Sequence, residues 1–288
     1  MALRATKPEL KPAKRAKIMV SGDAGVGKTW FSLDFPAVYY MDAEQGADRE
    51  QYQQKLIDSG GLYFGREQGL TGFSSVIDEL KALATEKHSF KTIVIDSFSK
   101  LYNDAAADAE LRIGSDFGAD KKEANKPSRQ LIRWIDKVDM NVILICHSKQ
   151  DWSNKKADGS TGTTYDGYPK LSFELDLWLE IVGKTFIVRK TRIESFREGS
   201  TFARNYKDFA ERFGQQEISR DTHQLALAKE SEIKAAQSLF KGLNYGPDHQ
   251  DKFFKKCDVE SWSEMSSDQI VSLIHFMEGE IDKLKGGK

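Results

Sequence analysis

The sequence predicts an α/β fold in which a mainly parallel central sheet is followed by a small all-helical C-terminal module. Three observations carry this. Short apolar runs alternate with segments of helical period between residue 17 and about residue 150. Beyond residue 229 only helical periodicity remains. At the end of the first apolar run stands a glycine-rich motif that matches a phosphate-binding loop without departure.

The runs Ile18–Val20, Val38–Met41, Thr92–Ile95 and Val142–Ile145 have the length and continuous apolar character of buried parallel strands. Phe73, Val76, Ile77, Leu80 and Leu83 recur at helical spacing before the third run. Pro127 suits the first position of a second helix, whose stripe is Leu131, Ile135 and Val138. Residues 151–169 are polar and rich in Gly, Ser, Thr and Lys, and read as a long mobile loop. Two strands follow, Leu177–Val182 and Thr185–Thr191, turning through Gly183-Lys184. In the tail, Ile233, Ala236, Phe240 and Leu243 form one stripe, and Gly246-Pro247 ends it. Ser266-x-x-Gln269 then reads as a capping box opening a last helix with Ile270, Ile274, Met277 and Ile281. The expected organisation is a basic N-terminal arm over 1–16, a core over 17–228 and a helical module over 229–288. The arm carries Lys7, Pro8, Lys11, Pro12, Lys14 and Arg15.

With 288 residues the chain can bury a sizeable core. Its 43 Lys and Arg against 44 Asp and Glu leave a net charge of -1, so any nucleic-acid binding must come from local basic patches. Two cysteines exclude a disulfide framework, and Cys146, inside an apolar run, reads as a small buried hydrophobe. No apolar stretch approaches the ~20 residues of a membrane helix, and the N-terminus has no apolar signal core; the expectation is a soluble, cytoplasmic protein.

The motif is Gly22-Asp23-Ala24-Gly25-Val26-Gly27-Lys28-Thr29. Glycines let the backbone curl so that successive N–H groups face phosphate oxygens, and the following helix adds the positive end of its dipole. Lys28 is then placed to bridge the β and γ phosphates of ATP, and the Thr29 hydroxyl to ligate Mg²⁺. Asp96 closes the third apolar strand, where the acid that supports magnesium through its outer shell belongs; it can also cap the next helix. Hydrolysis further needs a group that orients the attacking water. Glu44, after the second strand, and His147, at the end of the fourth, are the candidates. By position alone Glu44 serves equally as a helix-capping acid, and His147 as a hydrogen-bonded strand end.

The order of these motifs resembles the RecA-like P-loop ATPases, and within them the RecA-like branch of the phage Sak single-strand annealing proteins. The residues that carry the resemblance lie within 15–205: the phosphate loop, Met41-Asp42-Ala43-Glu44, Ile93-Val94-Ile95-Asp96-Ser97 and Cys146-His147-Ser148. The segment from Glu230 resembles a small helical module at the ends of phage recombination proteins. The resemblance implies a RecA-like P-loop NTPase core, Glu44 as the water-activating base and His147 as a γ-phosphate sensor, a place more often held by glutamine. It also implies that Lys190 and Arg192, two apart on one strand face, reach a neighbouring subunit's nucleotide, which requires a homo-oligomer, ring or short filament. Without a neighbour they are a solvated basic face. It further implies that the loop with Lys149, Trp152, Lys155, Lys156, Tyr165, Tyr168 and Lys170 contacts single-stranded DNA, cations on phosphates and rings on bases. Lys121, Lys122, Lys126, Arg129 and Arg133 make a second basic cluster. No N-terminal polymerisation motif of the RecA type is present.

The function expected from this reading is an ATP-dependent, single-stranded-DNA-binding recombinase or annealing protein, with a single-strand DNA-binding protein as a further partner and the host cytoplasm as its place if phage-encoded. A motor or assembly factor on the same fold, without single-strand binding, is the alternative. A P-loop small-molecule kinase is a third, but no lid arginine set supports it.

Overall fold

In the computed structural model, residues 5, 7, 14–47, 49–155 and 161–286 are described; the side chains of 152–161, 285 and 286 are not. Tertiary contacts divide the chain into one unit over 1–80 and 88–222 and another over 81–87 and 223–288.

The first unit is built on a sheet whose strands run, in chain order, β1 Lys17–Gly22, β2 Val38–Asp42, β3 Leu62–Phe64, β4 Thr92–Asp96, β5 Asn141–Lys155, β6 Thr161–Tyr165, β7 Leu177–Val182, β8 Thr185–Thr191 and β9 Thr201–Ala203. Across the sheet the order is β3-β2-β4-β5-β1-β7-β8-β9, with β6 paired to β5 alone. From β3 to β7 all neighbours are parallel; β8 and β9 add antiparallel pairs at one edge. Helices α1 Lys28–Ser32, α2 Glu50–Asp58, α3 Phe73–Thr85, α4 Phe98–Ile113, α5 Ala119–Lys137, α6 Leu171–Glu174, α7 Tyr206–Phe213 and α8 Gln215–Ser219 fill the connections. Every residue of β1 and β4 is buried, which explains why these strands read as unbroken apolar runs rather than alternating ones. A core of Ile18, Val20, Phe31, Phe35, Ile143, Leu179, Phe186 and Phe209 lies on one sheet face, with Phe31 packed edge-on to Phe35, Phe186 and Phe209.

Three expectations are corrected. Residues 151–169 are not one loop: β5 continues to Lys155 and pairs antiparallel with β6, Ser148 opposite Tyr165 and Asp151 opposite Gly162. A polar two-stranded ribbon shows no apolar alternation, so the sequence pattern hid it. Pro127 lies inside α5 instead of opening it, because the residues from Ala119 are good helix formers and bury Asp120 and Ala124 one turn apart. Arg15 is not part of a solvated arm but is buried beneath β1, while Pro8, Lys11 and Pro12 lie outside the described residues.

The second unit holds α9 Glu230–Gly242, α10 Pro247–Cys257 and α11 Ser267–Gly286. Ala236, Phe240, Phe254, Met265, Ile270 and Met277 form its own core. The capping box is present: Gln269 N–H donates to Ser266 Oγ at 3.2 Å, and Ser266 N–H to Gln269 Oε1 at 2.9 Å. The structural division falls at 222–223, earlier than the expected 228–229, because Leu227 bridges to Ser266 and Ala228 N–H donates to Met265 O. Among the described residues, no helix is long and apolar enough to cross a membrane.

Candidate active site

The parallel register brings the strand ends to one edge. Gly22 pairs with His147, and Asp42 with Asp96. At this edge the chain leaves β1 and curls, Gly25 and Gly27 taking φ of 77° and 90°, the left-handed region that favours glycine. Lys28 opens α1 and is buried. Its Nζ donates to Gly22 O and Asp23 O, each at 2.8 Å, and among the described residues it has no carboxylate within ion-pair distance. Burial lowers its pKa; the nearby charges of Asp96 and Glu44 act the other way. A buried ammonium held only by backbone carbonyls is a ready partner for an anion.

Thr29 Oγ1 donates to Asp96 Oδ2 at 2.6 Å, and Tyr40 OH to the same oxygen at 2.7 Å. Burial pushes the Asp96 carboxyl up to about 6, against the two hydrogen bonds that favour its ionised form. Among the described residues no three His, Cys, Asp or Glu side chains form a metal cage. The hard oxygens of Thr29 and Asp96 are the donor chemistry that magnesium takes. Asp42 does different work. Its carboxylate accepts the N–H groups of Glu44 at 3.1 Å, Gly46 at 3.3 Å and Ala47 at 3.0 Å, and the Tyr63 hydroxyl at 3.1 Å. It therefore fixes the turn that carries Glu44.

Glu44 turns back over the strand ends. Its Oε1 accepts a hydrogen bond from Ser97 Oγ and lies 2.9 Å from His147 Nε2. His147 is itself anchored: its N–H donates to Ser99 Oγ at 2.9 Å, and Ser99 Oγ donates to Asp166 O at 2.6 Å. Asp166 N–H donates to His147 O at 2.8 Å, closing the base of the β5–β6 hairpin. On the outer side of the phosphate loop, Arg204 Nη1 donates to Val26 O. Tyr40, Ser97, Ser99 and Arg204 were not singled out from the sequence. Tyr40 and Ser97 sit within strand-end motifs already noticed, but Arg204 comes from a stretch with no motif.

A family model described as an AAA domain matches residues 14–216, more than half of the chain. The chain belongs to the AAA domain family. Among solved structures it is similar to a chain from the structure of a DnaB-like replicative helicase and its interactions with primase. The identity is 13% and the TM-score 0.39, over 62% of this chain and 53% of that one, so the chain spans about half of that chain's length. No curated protein matches. With its mainly parallel sheet, phosphate loop and family, this AAA domain is a P-loop ATPase domain.

The AAA domain thus brings Lys28, Thr29, Glu44, Asp96 and His147 together. It does not bring Lys190 and Arg192 to them. Thr191 pairs with Leu177, which pairs with Ile18, so both cations lie at the opposite edge of the sheet. There Lys190 Nζ donates to Leu175 O, and Arg192, just past β8, to Phe173 O and Glu174 O. Tyr165 and Tyr168 are buried, Tyr165 edge-on to Trp178 with its hydroxyl donating to Pro169 O, so neither ring is offered to a base. Lys149 pairs with Asp166 at 3.1 Å, and Lys170 is exposed. The side chains of Trp152 and Lys155, and all of Lys156, lie outside the described residues. Lys121, Lys122, Lys126 and Arg129 are exposed on α5.

Proposed function

We propose that this AAA domain hydrolyses ATP with Mg²⁺ and couples hydrolysis to binding of single-stranded DNA, in the manner of the phage Sak-like recombination and annealing proteins. The observation that carries the reading is the hydrogen-bonded path from Glu44 through His147 and Ser99 to Asp166, because it joins the candidate water-activating group to the root of the hairpin. Lys28 leaves the Gly22 and Asp23 carbonyls and takes the β and γ phosphates. Thr29 and Asp96 would hold magnesium, which when bound would neutralise charge on the transferring phosphoryl group. Glu44 uses Oε2, free of partners among the described residues, to orient water and accept its proton. The water oxygen bonds to the γ-phosphorus as the bond to the β-phosphate oxygen breaks, leaving ADP and phosphate. His147 senses the γ-phosphate, and its movement is passed to the hairpin. Lys190 and Arg192 face away from this chain's own site, so their role in hydrolysis requires a second copy in a ring or short filament. A single-strand DNA-binding protein and the host cytoplasm belong to the same reading.

The test is fluorescence anisotropy of a labelled oligonucleotide at low salt, with and without ATP. Tighter binding with ATP is expected; no binding in either state removes the DNA claim. A second reading, a motor or assembly factor without single-strand binding, is favoured by one observation, the burial of Tyr165 and Tyr168. Combined Trp152→Ala, Lys155→Ala and Lys156→Ala separates the two: the first reading expects lost oligonucleotide binding with nucleotide binding kept, the second little change.

A further inference from the structure

A second cation reaches the phosphate loop, from behind. Arg204 follows β9, and its N–H donates to Lys184 O at 3.0 Å, which fixes it beside the β7–β8 turn. The next residue, Asn205, caps α7 by accepting from Asp208 N–H at 2.8 Å, so the backbone is held on both sides. The half-buried guanidinium donates through Nη1 to Val26 O and, at 3.5 Å, to Gly183 O. Among the described residues it has no carboxylate partner. A cation that could pair with an acid in water is instead kept on loop carbonyls.

Val26 C=O and Gly27 N–H are the two ends of one planar peptide group. A cation on the oxygen draws electron density through the C–N bond, makes the N–H a stronger donor and stops the peptide from turning over. A loop whose donors already point at the phosphates binds without reorganising. Gly27 is what lets the guanidinium approach. A Cβ there would lie 2.7 Å from Arg204 Nη1, and the residue's φ of 90° favours glycine in any case.

We propose that Arg204 is a positioning residue for nucleotide binding, gripping the Val26–Gly27 peptide from outside the phosphate loop while Lys28 meets the phosphates from inside. The assignment rests on the reading that ATP occupies this loop. It also makes the outer sheet edge, β8 to β9, a working part of the site.

The experiment measures ATP affinity by titration calorimetry and steady-state hydrolysis for wild type, Arg204→Ala and Arg204→Lys, with melting temperatures taken without nucleotide. Arg204→Ala should raise the ATP Kd and KM about tenfold while kcat falls less than about threefold, and Arg204→Lys should recover roughly half of the loss on a logarithmic scale. An Arg204→Ala Kd within about twofold of wild type overturns the proposal, as does a lowered melting temperature with unchanged Kd. Should Arg204→Ala not fold, Arg204→Gln carries the same thresholds. Wild type that binds no ATP overturns the nucleotide reading itself and this inference with it, whereas tight wild-type binding with an indifferent variant overturns this inference alone.

Discussion

The two edges of the parallel sheet both bury charge, and they treat it in opposite ways. At the edge where the strands begin, nearly all charge is partnered within the fold; among the described residues' buried side-chain atoms only Arg220 Nε has no hydrogen-bond partner. Arg15 pairs with Asp139 at 3.2 Å and donates to the carbonyls of Glu217, Ile218, Arg220 and Asp221. Lys17 Nζ donates to Val138 O and Met140 O, and Asn141 Nδ2 to Lys91 O and Ile218 O. Arg220 adds a second contact to Asp139 at 2.7 Å. At the edge where the strands end, buried Lys28 has only its own loop's carbonyls and buried Asp96 is held by two neutral hydroxyls, while Glu44, exposed beside them, keeps one oxygen unused. Buried charge that the fold completes is structural; buried charge that it leaves incomplete is where a ligand is expected.

That contrast can be broken from either side. At the incomplete edge, Glu44→Gln should keep ATP affinity within about threefold and cut turnover by about a thousandfold, read as phosphate release. Normal turnover would return the water-activating role to His147 or Asp96. Lys28→Ala should weaken ATP binding about a hundredfold by calorimetry without lowering the melting temperature, because the ammonium leaves no acid unpaired. At the complete edge the effects should swap. Arg15→Ala should cost about 3 kcal/mol in denaturant unfolding and leave ATP Kd within about twofold. A large change in Kd there would show that the two edges communicate.

The last effect is a pH dependence, read as a slope. Burial pushes the Lys17 ammonium down to about 7 from its ordinary 10.5. Between those values the unfolded chain binds more protons than the folded one. Stability should therefore rise with pH across that window, by up to about 1.4 kcal/mol per unit, and Lys17→Met should abolish the rise in matched denaturant curves.

Much of the site was legible because its residues follow strands with a strong apolar signal. Gly22, Asp96 and His147 each end such a run, and the parallel register then sets Gly22 opposite His147 and Asp96 opposite Ile145, two residues before it. Glu44 could be found by the same logic, but not its partner Ser97, since a serine after an aspartate carries no pattern of its own. The β5–β6 hairpin was lost because its arms, among the described residues, bury little beyond Tyr165 and so show no alternation. Arg204 was out of reach for another reason: its contact with Val26 depends on the antiparallel edge β7-β8-β9 folding back beside the loop, a placement no local spacing encodes. Lys190 and Arg192 read from the sequence as one strand face, but β8 ends at Thr191 and the register places this end at the edge away from the phosphate loop.

The most direct test of the central claim is the steady-state rate of phosphate release from ATP with Mg²⁺, measured for wild type and Glu44→Gln, each with and without single-stranded DNA. Wild type should hydrolyse ATP, faster when the oligonucleotide is present, and Glu44→Gln should be near background in both conditions. Wild-type release no greater than that of Glu44→Gln, with or without DNA, would contradict the assignment of this strand-end edge as a hydrolytic site.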